Sequence, residues 1–221
     1  MLVSHRLKFI YTKTTKTAGT SIESYFEPYC VDQPDWQALH FRDEHVSAAG
    51  IIGYRGTGRP AQCTWWNHMP AALIRQRLGE AIWSSYFKFC AVRNPYDKAI
   101  SHFYFLRDQG RIQIEDGMSE QEQFEHWLVQ SGPLIDRDKY LIDGRLCMDH
   151  FVRYEHLQTD LQAVCERLGI DWQPERLATF KAGIRPPTAT ARAMYSPRSR
   201  EIVSAAYAYE LDFFGYSFPS D

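Results

Sequence analysis

The sequence predicts an α/β layered domain, and three observations lead there. Short apolar runs of strand length, at residues 7–12 (LKFIYT), 86–92 (YFKFCAV) and 150–154 (HFVRY), alternate with stretches of helical period. Two of these runs pass through a polar turn directly into a helix. The length of 221 residues suits one large domain better than two small ones, at about 150 residues per domain. The expectation is a single three-layer domain over 1–221 with a central, mainly parallel sheet. Ligands of such sheets bind at the carboxyl ends of the strands.

Each element has a local reason. The first strand, 7–12, is β-branched and aromatic. It enters the polar stretch 13–21 and then a helix at 22–26, stopped by Pro28. Residues 31–62 carry weak patterning and glycines at 50, 53, 56 and 58, and read as a surface excursion. Pro70 opens a helix with Leu73, Ile74 and Leu78 on one face and Gly79 as its stop. The run 86–92 leads through Arg93-Asn94-Pro95 into a helix bearing Ala99, Ile100, Phe103 and Tyr104. Residues 107–120 read as a loop, and 121–130 as a helix ended by Gly132-Pro133. After the strand at 150–154, Leu157, Leu161, Val164 and Leu168 share a helical face closed by Gly169. Residues 181–195 are irregular and basic. Ser196-Pro197 starts a last helix, with Val203, Ala206, Tyr207 and Leu211 as its stripe. The terminal FFGYSF reads as core packing.

Composition narrows the function. Hydrophobic residues at 44% and charged residues at 24% exclude wholesale disorder. A net charge of −2 is not that of a protein that coats nucleic acid or an anionic membrane. Five cysteines without a CxxC pair leave zinc-ribbon and disulfide-framework readings unsupported and point to a reducing compartment. The first residues have no apolar signal core, and no run of 18 apolar residues exists. The expected location is cytoplasmic, with no membrane span and no nucleic-acid partner.

Two turns carry chemistry. The first holds Lys16, Thr17, Ala18, Gly19, Thr20 and Ser21. It combines a cation, small residues, hydroxyls and helix-start N–H groups, the needs of a bound phosphate. It is P-loop-like but not a Walker A loop, because its lysine precedes its one glycine. The plainer reading is a solvated turn that caps a helix. In the second turn, Arg93 ends an apolar strand, where a guanidinium needs a partner, and Ser101 lies in the helix beyond. The plainer reading there is an Arg93–Asp97 pair that shapes the turn. Two anion-binding turns on one sheet edge suit a ligand with two separated phosphates.

The segments TKTAGTSIE, FKFCAVRNPYDKAISHFYF and FVRYEHLQTDL resemble the PAPS-dependent sulfotransferases, closest to the branch containing carbohydrate sulfotransferases. The resemblance spans residues 8–216. It departs from the family at Thr15, where a proline is common. It implies that residues 16–21 hold the sulfate-bearing 5′-phosphate of PAPS, with Lys16 neutralising the leaving group. It implies that Arg93 and Ser101 hold the 3′-phosphate. The basic stretch with Lys181, Arg185 and Arg192 lies where family members close over the nucleotide. The reaction implied is sulfuryl transfer to a hydroxyl of a glycan or other small glycosylated acceptor, releasing PAP, with no metal. His68 is the favoured base, matching a histidine of that branch; His40, His45, His102 and Glu44 are the alternatives. Trp65 and Trp66 are available to stack on an acceptor. A nucleotide-dependent kinase or NTPase, and a non-catalytic PAP- or glycan-binding protein of the same fold, are the competing readings.

Overall fold

The computed structural model describes residues 1–113, 115–180 and 183–219. In chain order the elements are β1 (Leu2–Ser4), β2 (Phe9–Thr12), α1 (Gly19–Phe26), β3 (His45–Val46), β4 (Gly50–Ile52), α2 (Ala71–Leu78), α3 (Glu80–Ser85), β5 (Phe87–Val92), α4 (Pro95–Asp108), α5 (Glu120–Ser131), β6 (Leu141–Ile142), β7 (Arg145–Leu146), β8 (His150–Arg153), α6 (Leu157–Leu168), α7 (Ala191–Met194), α8 (Pro197–Ala206) and α9 (Ala208–Phe214). They fall into two compact units. One comprises Met1–Val92 with Asp136–Phe180, the other Arg93–Ile135 with Lys181–Asp221.

The first unit carries a six-stranded sheet in the order β3-β4-β1-β2-β5-β8. Its parallel part is β2-β5-β8, the three strands the sequence predicts. The pairs β1-β2, β1-β4 and β3-β4 are antiparallel. The sheet is therefore mixed, and the expected mainly parallel character holds only for the half that carries β2 and β5. The cause lies in two short segments. Residues 2–4 fold back on β2 as a hairpin, with Leu2 opposite Tyr11. Part of the glycine-rich excursion supplies β3 and β4. Gly50 is required there, since a Cβ on it would lie 2.1 Å from the Val3 carbonyl oxygen.

Alternation along the strands buries both faces of this sheet. Leu2, Phe9, Tyr11, Phe89, Ala91 and Val152 form one core cluster with Ile22, Tyr25 and Phe26 of α1 and Leu161, Val164 and Cys165 of α6. Val3, Ile10 and Cys90, at the alternate positions, are fully buried too, as continuous apolar strands require. The chain restarts a helix at once after Gly79 (φ 81), so α3 follows the predicted stop.

The second unit is helical. Ile100, Phe103, Phe124, Trp127, Met194, Tyr195, Val203 and Tyr207 make its core. Its helix starts are legible. Asn94 caps α4 by accepting from Tyr96 N, with Pro95 following. Ser119 and Ser196 form capping boxes with Glu122 and Ser199. In the terminal aromatic segment Phe214 is buried and Phe218 packs on Tyr96 and Tyr195, while Phe213 is exposed. No described helix is long and apolar enough to cross a membrane.

Candidate active site

The first turn joins β2 to α1. Lys16 (φ 62) and Ala18 (φ 57) take left-handed backbone conformations. Such conformations are unfavourable for side-chain-bearing residues and gather at ligand sites. Ala18 stands at the N-cap of α1 and offers no side-chain acceptor, and the first turn of the helix holds no acidic residue. The N-cap of α1 thus supplies no side-chain acceptor, and no carboxylate of the first turn offsets the positive end of the helix dipole. Thr17 is fully buried, and its hydroxyl faces that of Thr14 at 2.9 Å. Only its backbone remains for a ligand. The Thr20 hydroxyl accepts from Lys13 Nζ at 3.1 Å. Thr14 also donates to the Ala91 carbonyl, which ties the turn to β5.

Beneath the turn lies a buried charge cluster. Glu23 of α1 meets the Met1 amine at 2.6 Å, Lys13 at 2.7 Å, Arg55 at 2.6 Å and Arg42 at 3.6 Å. Glu27 pairs with Arg42 and Arg55. Four basic groups therefore face two carboxylates. Burial, with the neighbouring cations adding to it, outweighs the pull of Glu23 on its partners. The Lys13 ammonium is lowered to about 8 and the Met1 amine to about 6. Gly19 admits this arrangement, because a Cβ there would lie 2.7 Å from Lys13 Cε.

His68 stands beside the same turn, half-buried and with φ 56. Its Nδ1 lies 3.0 Å from the Lys13 carbonyl oxygen and 3.4 Å from Thr15 Oγ1. A carbonyl only accepts, so Nδ1 carries the proton and Nε2 presents the lone pair. Burial first, and the Lys13 charge second, lower its pKa to about 3. Thr15 N donates to Asp136 Oδ2 at 2.7 Å. A proline at position 15 has no N–H to make this bond.

The alternative bases have aromatic or backbone neighbours. The His40 ring meets Phe41 edge-to-face and Phe180 at a tilt, His45 meets Trp36 at a tilt, and His102 meets Trp127 edge-to-face. Glu44 accepts from Thr64 N at 3.0 Å and Trp65 N at 2.6 Å. Trp65 is core, while Trp66 is half-buried.

In the helical unit, Arg93 precedes the cap of α4 and Ser101 lies along that helix, both half-buried. Asp97 pairs with Arg185 at 2.7 Å. Arg185 also donates to the Ala189 carbonyl at 2.8 Å. Arg192 is exposed on α7, and Lys181 lies outside the described residues. A cavity of about 600 Å³ within this unit is lined by His102, Gln123, His126, Trp127 and Gln130, among others.

Sequence reasoning missed Lys13, Glu23, Arg42, Arg55 and Asp136. One signal was available: Glu23 follows TKTAGTSI in a helix that also carries Ile22, Tyr25 and Phe26, where a buried carboxylate needs partners. The arginines pairing with it lie 19 and 32 residues further on, and no local pattern marks them.

Comparison with known proteins follows from this geometry. A model described as the sulfotransferase family matches residues 1–217. An uncharacterized protein of Archaeoglobus fulgidus is 27% identical over 110 residues, 49% of this chain and 87% of that protein. No solved structure matches.

Two outcomes test this arrangement. Glu23→Gln strips the buried cations of a carboxylate and is expected to cost about 3–5 kcal/mol in urea unfolding; a loss below about 1 kcal/mol would show that the cluster does not depend on it. The second concerns acid. Folded His68 takes its proton near pH 3, whereas an unfolded histidine takes one near 6.5. Between those values the unfolded state binds more protons, so stability falls as pH drops through the window. His68→Asn keeps a donor for the Lys13 carbonyl and is expected to flatten the fall in Tm from pH 7 to 4. Identical slopes would refute the assignment.

Proposed function

We propose that this chain, which belongs to the sulfotransferase family, moves the sulfuryl group of PAPS to a hydroxyl of a glycan or other glycosylated acceptor and releases PAP. The family match runs through both compact units, which supports one functional domain. The observation that carries the reading is the turn at residues 16–21: a helix start uncapped by side chains, led by Lys16, over a buried excess of positive charge. An anion is the ligand such a turn stabilises.

In this reading the turn acts as a P-loop-like cradle for the sulfate-bearing 5′-phosphate. Thr17, Ala18 and Gly19 contribute backbone N–H groups, and Thr20 and Ser21 add hydroxyls. Arg93 and Ser101 take the 3′-phosphate. Arg185, already bonded to Asp97 and Ala189, shapes its turn, while exposed Arg192 is the better candidate to close over the nucleotide. The acceptor oxygen attacks sulfur in line and forms the new S–O bond. The S–O bond to the phosphate breaks, and its electron pair stays on PAP. Lys16 stabilises that developing charge. His68 Nε2 receives the acceptor proton. The negative charge of a bound anion counters the Lys13 charge that helps hold the His68 pKa low. The cavity beside His102 and Trp127 has the size of a small-ligand site, and its amide and imidazole lining suits hydroxyl groups.

The test is calorimetric titration with PAP, with AMP and ATP as controls, followed by a transfer assay from PAPS. Micromolar PAP binding, about −8 kcal/mol, with much weaker AMP binding and loss of the difference in Arg93→Ala, is expected. Lys16→Ala is expected to lower turnover by about 10²–10³-fold, and His68→Ala to lower it by about 10²–10⁴-fold with PAP affinity unchanged. Preference for ATP would favour a kinase. PAP binding without transfer to any tested acceptor would favour a non-catalytic binder.

A further inference from the structure

Segments around residues 42, 54 and 66 run side by side and lead to His68. Arg42 and Arg55 exchange backbone hydrogen bonds of 2.8 and 2.9 Å. Tyr54 N donates to the Trp65 carbonyl at 2.8 Å, and Asn67 N donates to the Tyr54 carbonyl at 2.7 Å. Half-buried Glu44, two residues beyond Arg42, reaches across to the third segment. Its Oε2 accepts from Trp65 N at 2.6 Å and from Thr64 N at 3.0 Å, and its Oε1 lies 3.2 Å from Thr64 N. The Cys63 thiol stands 3.7 Å from Oε2. Both carboxylate oxygens are thus turned to the backbone of the loop at residues 63–65.

The loop so held delivers a strained residue. His68 has φ 56, and a left-handed conformation costs a side-chain-bearing residue on the order of 1–3 kcal/mol and persists only where its surroundings over-determine it. On the far side of His68, Met69 is fully buried and Pro70 opens α2 with φ −59. The imidazole itself is held by the Lys13 carbonyl at 3.0 Å. On the near side the restraints are the two bonds to Tyr54 and those to Glu44. A carboxylate accepting from backbone N–H groups makes charge-assisted bonds, which are shorter and stronger than neutral ones. The 2.6 Å bond from Trp65 N to Glu44 is indeed shorter than either neutral bond at Tyr54. Glu44 also has a firm footing, because Arg42 is paired with Glu27 in the buried cluster. A carboxylate committed to three backbone contacts is built to hold a loop rather than to take a proton.

We propose that Glu44 is a positioning residue: by binding the backbone N–H groups of Thr64 and Trp65 it fixes the loop that sets His68 against the Lys13 carbonyl. The inference rests on the transferase reading for its effect on turnover, but the positioning itself is read without any nucleotide. The His68 imidazole, assigned by its absence from His68→Asn, is titrated by NMR in the wild type, in Glu44→Ala and in Glu44→Gln. Turnover from PAPS, PAP affinity and urea unfolding are measured beside it. Glutamine keeps a carbonyl oxygen for the Trp65 N–H but is not a base. In the wild type His68 is expected to titrate well below the ordinary histidine value of about 6.5. Glu44→Ala is expected to raise that titration by about one pH unit or more. It is also expected to lower turnover by roughly tenfold to a hundredfold, with PAP affinity unchanged. Glu44→Gln is expected to keep the low titration and most of the turnover. The same His68 titration in the wild type and in folded Glu44→Ala would overturn the proposal. So would equal loss of turnover in the two variants, the mark of a carboxylate that itself takes the proton. Should Glu44→Ala unfold, Glu44→Gln decides alone: retained titration and turnover support the positioning role, and lost turnover with the titration unchanged overturns it. No transfer from PAPS in the wild type, with the His68 shift present in Glu44→Ala, would leave the positioning standing and remove the transferase reading instead.

Discussion

The Glu23 carboxylate, buried on α1, joins parts of the chain that sequence keeps far apart. The Met1 amine comes from the start of β1, Lys13 from the end of β2, and Arg42 and Arg55 from the excursion before α2. A carboxylate this deeply buried persists as an ion only with such company, and the surrounding cations hold its pKa well below the usual carboxylate range. The antiparallel extension of the sheet follows from the same constraint. Arg42 and Arg55 are bonded to each other through their backbones, and Arg55 also donates to the His40 carbonyl. The segment that delivers β3 and β4 is therefore anchored at the cluster from which it extends.

The cluster also explains the small residues of the first turn. Lys13 reaches Glu23 by passing across Gly19, where no Cβ fits. Thr20 is near enough to accept from the same ammonium. Lys13 is thus committed inward, and Lys16, three residues on, is the lysine whose backbone adopts the left-handed bend of the turn. Two lysines of one short motif therefore stand apart: one balances the buried carboxylate, and the other sits in the left-handed bend of the turn, where the proposed function places its anion.

Period and caps made the parallel strands, the helices and both turns legible. The runs at 7–12 and 86–92 are apolar because both faces of their strands are buried. Pro95, Gly169 and Ser196 punctuate helices as their chemistry dictates. What escaped was non-local. A three-residue strand such as β1 is too short to show a period. Gly50 reads as a loop residue, yet it sits in a strand because the Val3 carbonyl leaves no room for a side chain. The pair Asp97–Arg185 spans 88 residues, so nearness in sequence favoured Arg93 as the partner. His68 was singled out through resemblance. Its protonation chemistry was not legible, because that depends on the Lys13 carbonyl and on the buried charge behind it.

The departure at Thr15 has a structural consequence. Its N–H is bonded to Asp136 and its hydroxyl lies near the imidazole of His68, so this one residue links the turn at residues 13–21 to His68. A proline would stiffen the turn through its ring and leave Asp136 without that donor. Threonine fixes the turn by hydrogen bonding instead. The same Nδ1 that faces Thr15 also faces the Lys13 carbonyl, so the ring is held in the tautomer that leaves Nε2 basic. Turn geometry and histidine tautomer are thereby set together: any ligand that shifts residues 13–16 also shifts the hydrogen bond that decides which nitrogen of His68 can accept a proton.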